Sequence, residues 1–386
     1  MRRLAIALAV LGHTVVDASQ NILPVVLPLL MERFQLSYSQ VGVAAALLNI
    51  SSSLIQPVFG WVSDRWSTRW FMWTGVAWTG ILMSCLGLVP NYPTFLVLIV
   101  LTGVGTAAFH PIASMAVALA SGNQRGLGMS LFSAGGNLGF AIGPVMAAWL
   151  MARFGLPGTL AVVVPGLLMA AAMYAGRAEF VGPPMARESR TASSSDPIPW
   201  GRLGTLSALI TLRSWGYSGL ITFIPLLLHE QGVALQVAGR ALFVFLFFGA
   251  LGGMLGGHLS DRFGRHRVMA TSLLIFPVLM ALALVTDGPF RWLLLAVAGV
   301  MLLASFSVTV VFAQELLPHH LGLASGLTLG LAFGAGGVGV GLSGFLADAL
   351  GLRVSVWILL TLPGIAGLLA LALSPTRRRV SGTRGD

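Results

Sequence analysis

Long apolar runs alternate with short polar ones along most of the chain. The runs lie at about 4–31, 40–62, 70–89, 94–118, 127–152 and 157–177, then at about 203–228, 237–259, 268–286, 291–316, 323–347 and 353–373. Each is close to the roughly 20 residues that a helix needs to cross a hydrocarbon core about 30 Å thick. A helix also satisfies its own backbone polar groups, which lipid cannot do. The pattern therefore predicts an all-α membrane protein of twelve spans in two six-helix bundles, 1–178 and 202–376. Between them, 179–201 holds Pro183-Pro184 and the polar run Thr191 to Ser195, a composition that reads as a flexible linker. Residues 377–386 form a basic tail.

The two groups of spans repeat. Pro28-Leu29-Leu30 recurs as Pro225-Leu226-Leu227 (225 − 28 = 197), Gly42 as Gly239 (239 − 42 = 197) and Asp64-Arg65 as Asp261-Arg262 (261 − 64 = 197). A constant offset across three landmarks marks a duplication. Parallel halves related by an axis along the membrane normal are a known transporter plan, with the substrate site between them.

Composition agrees and narrows the function. Only 9% of residues are charged, against about a quarter in soluble domains, and the mean hydropathy is +0.89. The Lys+Arg total of 22 is entirely arginine. Without lysine there is no G-x-x-x-x-G-K-[ST] phosphate loop, so the chain does not drive itself with ATP. The arginines, scattered between apolar runs, are topology signals rather than a nucleic-acid footprint. Sixteen fall in one set of loops and tails (among them Arg2, Arg3, Arg65, Arg69, Arg262, Arg265 and Arg377) and five, Arg33, Arg153, Arg240, Arg291 and Arg353, in the other. The excess places both termini and the linker in the cytoplasm of a bacterial inner-membrane protein. Arg2-Arg3 followed by Leu4 to Leu11 imitates a secretory leader, but apolar sequence resumes from Ile22 to Met31, and an uncleaved first span is expected. Cys85 is the single cysteine. No H-E-x-x-H or Cys/His grouping is present, and His319-His320 point apart on a helix, so neither an enzyme nor a metal or other cofactor is expected.

Two loops carry a shared motif. Gly60-x-x-x-Asp64-Arg65 with Arg69 lies between spans 2 and 3, and Gly257-x-x-x-Asp261-Arg262-x-Gly264-Arg265 between spans 8 and 9. Both resemble the loop signature G-x-x-x-D-R-x-G-R-R of the major facilitator superfamily; in the first copy Ser67 and Thr68 replace Gly and Arg. The glycines would let helices approach closely, and the aspartates would accept from N–H groups at a neighbouring helix start. The resemblance implies that each loop latches the halves on the cytoplasmic side. Gly139-x-x-x-Gly143-Pro144 in span 5 resembles the superfamily's antiporter signature, although generic small-residue packing explains the glycines equally. Gly12-His13 with Asp17, Leu36 to Gly42, Gln56-Pro57, Phe109-His110-Pro111 and Gln314-Glu315-Leu316-Leu317-Pro318 resemble the fosmidomycin-resistance branch. That likeness implies the major facilitator fold and proton-coupled efflux of drug-type small molecules by a monomer in lipid.

Charged residues within the spans are the candidate chemistry, since each costs roughly 2.5–3.5 kcal/mol against lipid at a helix centre. Asp17 in span 1 and Arg213 in span 7 are almost equivalent in the repeat. Asp17 is the candidate proton carrier and Arg213 its counter-charge or an anion-binding group; a permanent ion pair joining the halves is the structural alternative. His110, before the helix-bending Pro111, is a second proton-relay candidate or a packing histidine. Ile99 stands where many drug antiporters of the superfamily carry arginine, so their usual relay is absent here or rebuilt around His110. Glu315 is expected to pair with Arg262 or Arg265. Gln20, Asn137 and Gln314, like His13, Asn21, Asn49 and Gln56, either meet substrate or join helices. An importer or facilitator of a small anionic nutrient is the competing function.

Overall fold

The computed structural model describes residues 2–66, 68–180, 199–317, 324, 327, 328 and 330–373. The linker 181–198, Pro318, Gly322, the tail and the side chain of Asp64 lie outside the described residues. Among those described there is no strand. The first half contains α1 (Arg3–Gln20), α2 (Leu23–Phe34), α3 (Tyr38–Leu54), α4 (Gln56–Arg65), α5 (Phe71–Ser84), α6 (Tyr92–Ala120), α7 (Arg125–Phe154) and α8 (Val163–Ala175). The second contains α9 (Trp200–Glu230), α10 (Leu235–Phe263), α11 (Arg265–Val285), α12 (Pro289–Leu316), α13 (Gly336–Leu350) and α14 (Leu352–Ala372).

Among the described residues, eleven stretches are long and apolar enough to cross a membrane. The remaining span, α9, has the length, with 31 residues, but carries Arg202, Arg213 and Glu230. Two predicted spans are broken helices. The first divides into α1 and α2 at Asn21, whose Nδ2 donates to the Phe140 carbonyl at 2.6 Å. Pro24 then stands in the first turn of α2, where its missing N–H costs nothing. The second divides at Ile55, just before Pro57 in the first turn of α4.

The duplication is visible in the packing. The halves meet where α3 lies on α13 and α7 lies on α10, and a glycine opens each seam. A Cβ at Gly42 would stand 2.8 Å from the Val340 oxygen; a Cβ at its repeat equivalent Gly239 would stand 2.8 Å from the Pro144 oxygen. Such backbone-to-backbone approach is how helices associate in lipid, where no hydrophobic force drives them together.

Polar contacts between the halves gather at one end. His229 Nε2 lies 2.8 Å from Glu32 Oε1, and these two are again 197 apart. The Tyr38 hydroxyl donates to Glu230. The Asp348 carboxylate accepts from the Tyr38 and Ser39 backbone N–H groups at 2.8 and 3.0 Å, capping the start of α3 across the seam. This end is closed. At the opposite end, the first turns of α7 from Arg125 to Leu127 are exposed, as are Leu259, Asp261, Arg262 and Phe263 at the end of α10.

The motif loops at that second end differ from expectation. A Cβ on Gly60 would come no nearer than 4.0 Å to Pro111, and one on Gly257 3.6 Å to Ser307, so neither glycine marks a tight crossing. On α10 the close approach falls one residue earlier, at Gly256, whose Cβ would stand 2.0 Å from the Ala304 oxygen. Asp261 does not reach across to α7. It pairs with Arg265 of its own half at 2.5 Å, and Arg265 also reaches Ser260 Oγ at 2.5 Å and Glu315 at 3.2 Å. Of the two partners expected for Glu315, the structure supplies Arg265. Arg262 stands over Phe263 and Arg65 over Trp61, while Arg69 is half-buried. Gly264 has φ +94°, a conformation that favours glycine at this turn between α10 and α11.

Candidate functional site

The i, i+4 spacing places His13 and Asp17 on one face of α1, and that face is turned inward. Asp17 is 3% exposed. Its Oδ2 lies 3.2 Å from His13 Nε2, and its Oδ1 lies 3.2 Å from His110 Nε2 on α6. Both histidines are anchored from behind. His13 Nδ1 lies 2.8 Å from the Phe132 carbonyl of α7, and its ring stacks on the Phe132 ring at 4.1 Å. His110 Nδ1 lies 2.8 Å from the Thr106 carbonyl, one turn back on α6. A carboxylate thus sits between two imidazoles, each held at its far nitrogen. The side chain of His110 is the most open of the three, at 20%, against 10% for His13 and 4% for Asp17.

Glycines on α7 make room for this arrangement. A Cβ at Gly136 would stand 2.4 Å from His13 Cε1 and 2.8 Å from Asp17 Oδ2. One at Gly139 would stand 2.3 Å from the Thr14 oxygen and 3.0 Å from Asp17 Cβ, and one at Gly143 2.5 Å from the Ala18 oxygen. The Gly139-x-x-x-Gly143 motif is therefore the seat of α1, extended by Gly135 and Gly136. Pro144, next along α7, supplies the carbonyl against which Gly239 packs.

Arg213 is 2% exposed on α9. It donates to Thr309 Oγ1 at 3.2 Å and Ser214 Oγ at 3.3 Å, and its Cζ lies 4.8 Å from the Phe306 ring centre. No carboxylate pairs with it among the described residues. A small cavity beside it is lined by Arg213, Ser214, Tyr217, Ser218, Phe306 and Phe333. This corrects two expectations: Arg213 is not the counter-charge of Asp17, and no ion pair between them ties the halves. The carboxylate already has two partners in its own half.

The other candidates are dispersed. Gln20 is buried; its Nε2 reaches Ser52 Oγ at 3.5 Å, and its Oε1 has no partner among the described residues. Asn137 is exposed on α7, and Gln314 is half-buried near the end of α12; neither joins the cluster. The ligand-type atoms of His13, Asp17 and His110 lie within 4.8 Å of one another, a span that one metal ion could bridge. The 3.2 Å separations are hydrogen-bond contacts among the three groups themselves. His13 was legible as a polar residue of span 1 and as part of the run with Gly12 and Asp17, but its contacts with Phe132 and His110 are remote in sequence. The outer contacts through Glu32, Tyr38, His229, Glu230 and Asp348 were missed, although the offset of 197 links Glu32 to His229.

With this geometry in place, comparison with known proteins decides the family. The Major Facilitator Superfamily model matches residues 9–233 and 206–386. The chain belongs to the Major Facilitator Superfamily. It is a multi-pass membrane transporter and not an enzyme. Among superfamily relatives, it is 36% identical over 379 residues to the uncharacterized MFS-type transporter YfnC of Bacillus subtilis (strain 168), covering 94% of this chain and 90% of that one. It is 31% identical to the fosmidomycin resistance protein of Escherichia coli (strain K12), covering 96% and 92%. In fold it resembles the inward-facing crystal structure of a bacterial homolog of the human lysosomal transporter Spinster, with a TM-score of 0.79, 16% identity and 96% of each chain covered.

Proposed function

We propose that this superfamily member is a proton-driven exporter of small organic compounds, working as a monomer in the bacterial inner membrane with both termini in the cytoplasm. The observation that carries the reading is the Asp17 carboxylate held between His13 and His110 at 3.2 Å each. Burying a carboxylate is costly unless it is paired, and imidazoles gain and lose protons near physiological pH. Such a group exchanges protons with a cavity instead of serving only as a strut. Arg213, buried among hydroxyls and a ring, offers the complementary subsite, an anion-binding group for substrate. Gln20, with a free buried acceptor, is placed to take a substrate hydrogen bond.

On the arginine-based orientation, the closed end faces outward and the exposed end of α7 faces the cytoplasm. Substrate enters from inside, and the halves then rock about the α3–α13 and α7–α10 seams as a proton enters from outside. The glycines along both seams favour such motion, since small contacts slide without interlocking.

Arg213 also favours a second reading, import of a small organic anion. Fosmidomycin, the anionic phosphonate named in the E. coli relative, is the first probe. Inverted vesicles holding a proton gradient, given fosmidomycin and a compound panel, should lose part of the gradient when an exported compound is added. Cells expressing the chain should also resist that compound. Accumulation of an organic anion by expressing cells, with no resistance to any panel member, would replace export by import.

A further inference from the structure

We infer that the His13–Asp17–His110 cluster is a two-proton site, with His13 carrying the second proton. The inference rests on the proton-coupled reading and deepens it. A carbonyl oxygen only accepts hydrogen bonds. His13 Nδ1 faces the Phe132 carbonyl and His110 Nδ1 the Thr106 carbonyl, each at 2.8 Å, so both rings carry a proton at Nδ1. A neutral ring of that tautomer has only a lone pair at Nε2. Both Nε2 atoms point at carboxylate oxygens, which are lone-pair acceptors too.

Proton counting follows. With no further proton, the cluster has a charge of −1 and two lone-pair pairs pressed to 3.2 Å. One added proton makes one contact a hydrogen bond, leaves the other repulsive, and brings the charge to zero. A second proton closes the remaining contact and brings the charge to +1. Equal distances on both sides fit the doubly loaded state, in which both contacts are hydrogen bonds. Among the described residues, the helices packed on the cluster carry few other titratable groups; α4, which packs on α6, brings Arg65 at its end, where the Asp64 side chain lies outside the described residues. Helix α5 has no titratable side chain, α8 carries only Tyr174 near its end, and α7 only Arg125 and Arg153 at its ends. Tyr92 lies at the far start of α6. Across the interior, α9 presents Arg213 and Tyr217. Arg213 is a fixed cation, and it favours emptying the cluster when the halves approach.

The test is nitrogen NMR of the full chain, labelled with 15N-histidine, in lipid nanodiscs without substrate, comparing the native chain with His13→Asn and His110→Asn. The Asn side-chain amide can take the place of Nδ1–H on the carbonyl while removing Nε2, which guards the fold; thermal unfolding checks it. Expected are two rings with Nδ1–H in the neutral form, the less common tautomer in water, each gaining an Nε2 proton as pH falls. In proteoliposomes, the proton-to-fosmidomycin ratio from flux reversal at imposed gradients should fall from about two to about one in His13→Asn. Neutral rings protonated at Nε2, a His13 ring that stays neutral throughout the pH range of transport, or a ratio unchanged in His13→Asn would overturn the inference. A native chain whose fosmidomycin flux ignores the gradient overturns the exporter reading alone, because the ring spectra need no substrate.

Discussion

At nearly matching positions in the repeat, the first half holds an acid between two imidazoles and the second holds a guanidinium between two hydroxyls and a phenyl ring. The frames around them are alike. Glycines of α7 seat α1, and glycines of α13 seat α9; a Cβ at Gly336 would stand 2.7 Å from Ser218 Oγ. Duplication thus preserved the scaffold while the chemistry diverged. One half holds imidazoles, which as a residue type can change charge in the physiological range, and the other a guanidinium, which is always charged. On the proposed function the fixed charge recognises cargo and the variable one draws on the proton gradient.

The largest expected effect comes from removing the variable charge. Asp17→Asn should abolish gradient-driven transport, a loss of at least 10-fold, while substrate exchange without a gradient persists; vesicle flux with and without an imposed pH difference checks both. If driven transport survived in this variant, the division of labour would fail. Next is the glycine seat. Gly136→Ala places a methyl against His13 and Asp17 and should cost about 1–3 kcal/mol through overpacking, read as a lower thermal midpoint and impaired coupling. A control in the second half is Gly334, where a Cβ meets nothing within 4 Å; Gly334→Ala should be near neutral. Similar losses in both variants would show that contact with His13 and Asp17 is not what the added methyl disturbs.

Arg213→Gln sharpens the other side of the comparison. It should raise the KM for anionic compounds about 10-fold, leave neutral compounds nearly unaffected, and spare coupling. Equal losses for both classes would make Arg213 a structural cation. The smallest effect is expected at the closed end. A double-mutant cycle of Glu32→Gln and His229→Gln should give a coupling of no more than about 1 kcal/mol, since Glu32 is largely exposed. It would be read as a few-fold change in alkylation rate at a cysteine placed at Ser52.

Span positions, the duplication and the buried candidates Asp17, His110 and Arg213 were legible because lipid imposes length and penalises charge, and both rules act on local sequence. Partner identity was not. The pairing of Asp17 with His110 rather than Arg213 depends on how α1 and α6 close together, and the opposite charge at the equivalent position offered a simpler but incorrect match. The Gly60 and Gly257 contacts were misplaced for a related reason. A motif glycine indicates that room is needed somewhere in a transport cycle, and in this conformation the motif end is not where the helices press.

The Glu32–His229 contact joins two residues that the internal symmetry exchanges, so it must lie close to the pseudo-twofold axis. Points on an axis do not slide past one another when the bodies around them turn; they can only part. Neighbouring contacts such as Tyr38 with Glu230 lie off the axis and can be traded for others during rocking. The axial pair has no such substitute, and the outer mouth should therefore open in one step, when that pair separates, rather than by gradual unzipping.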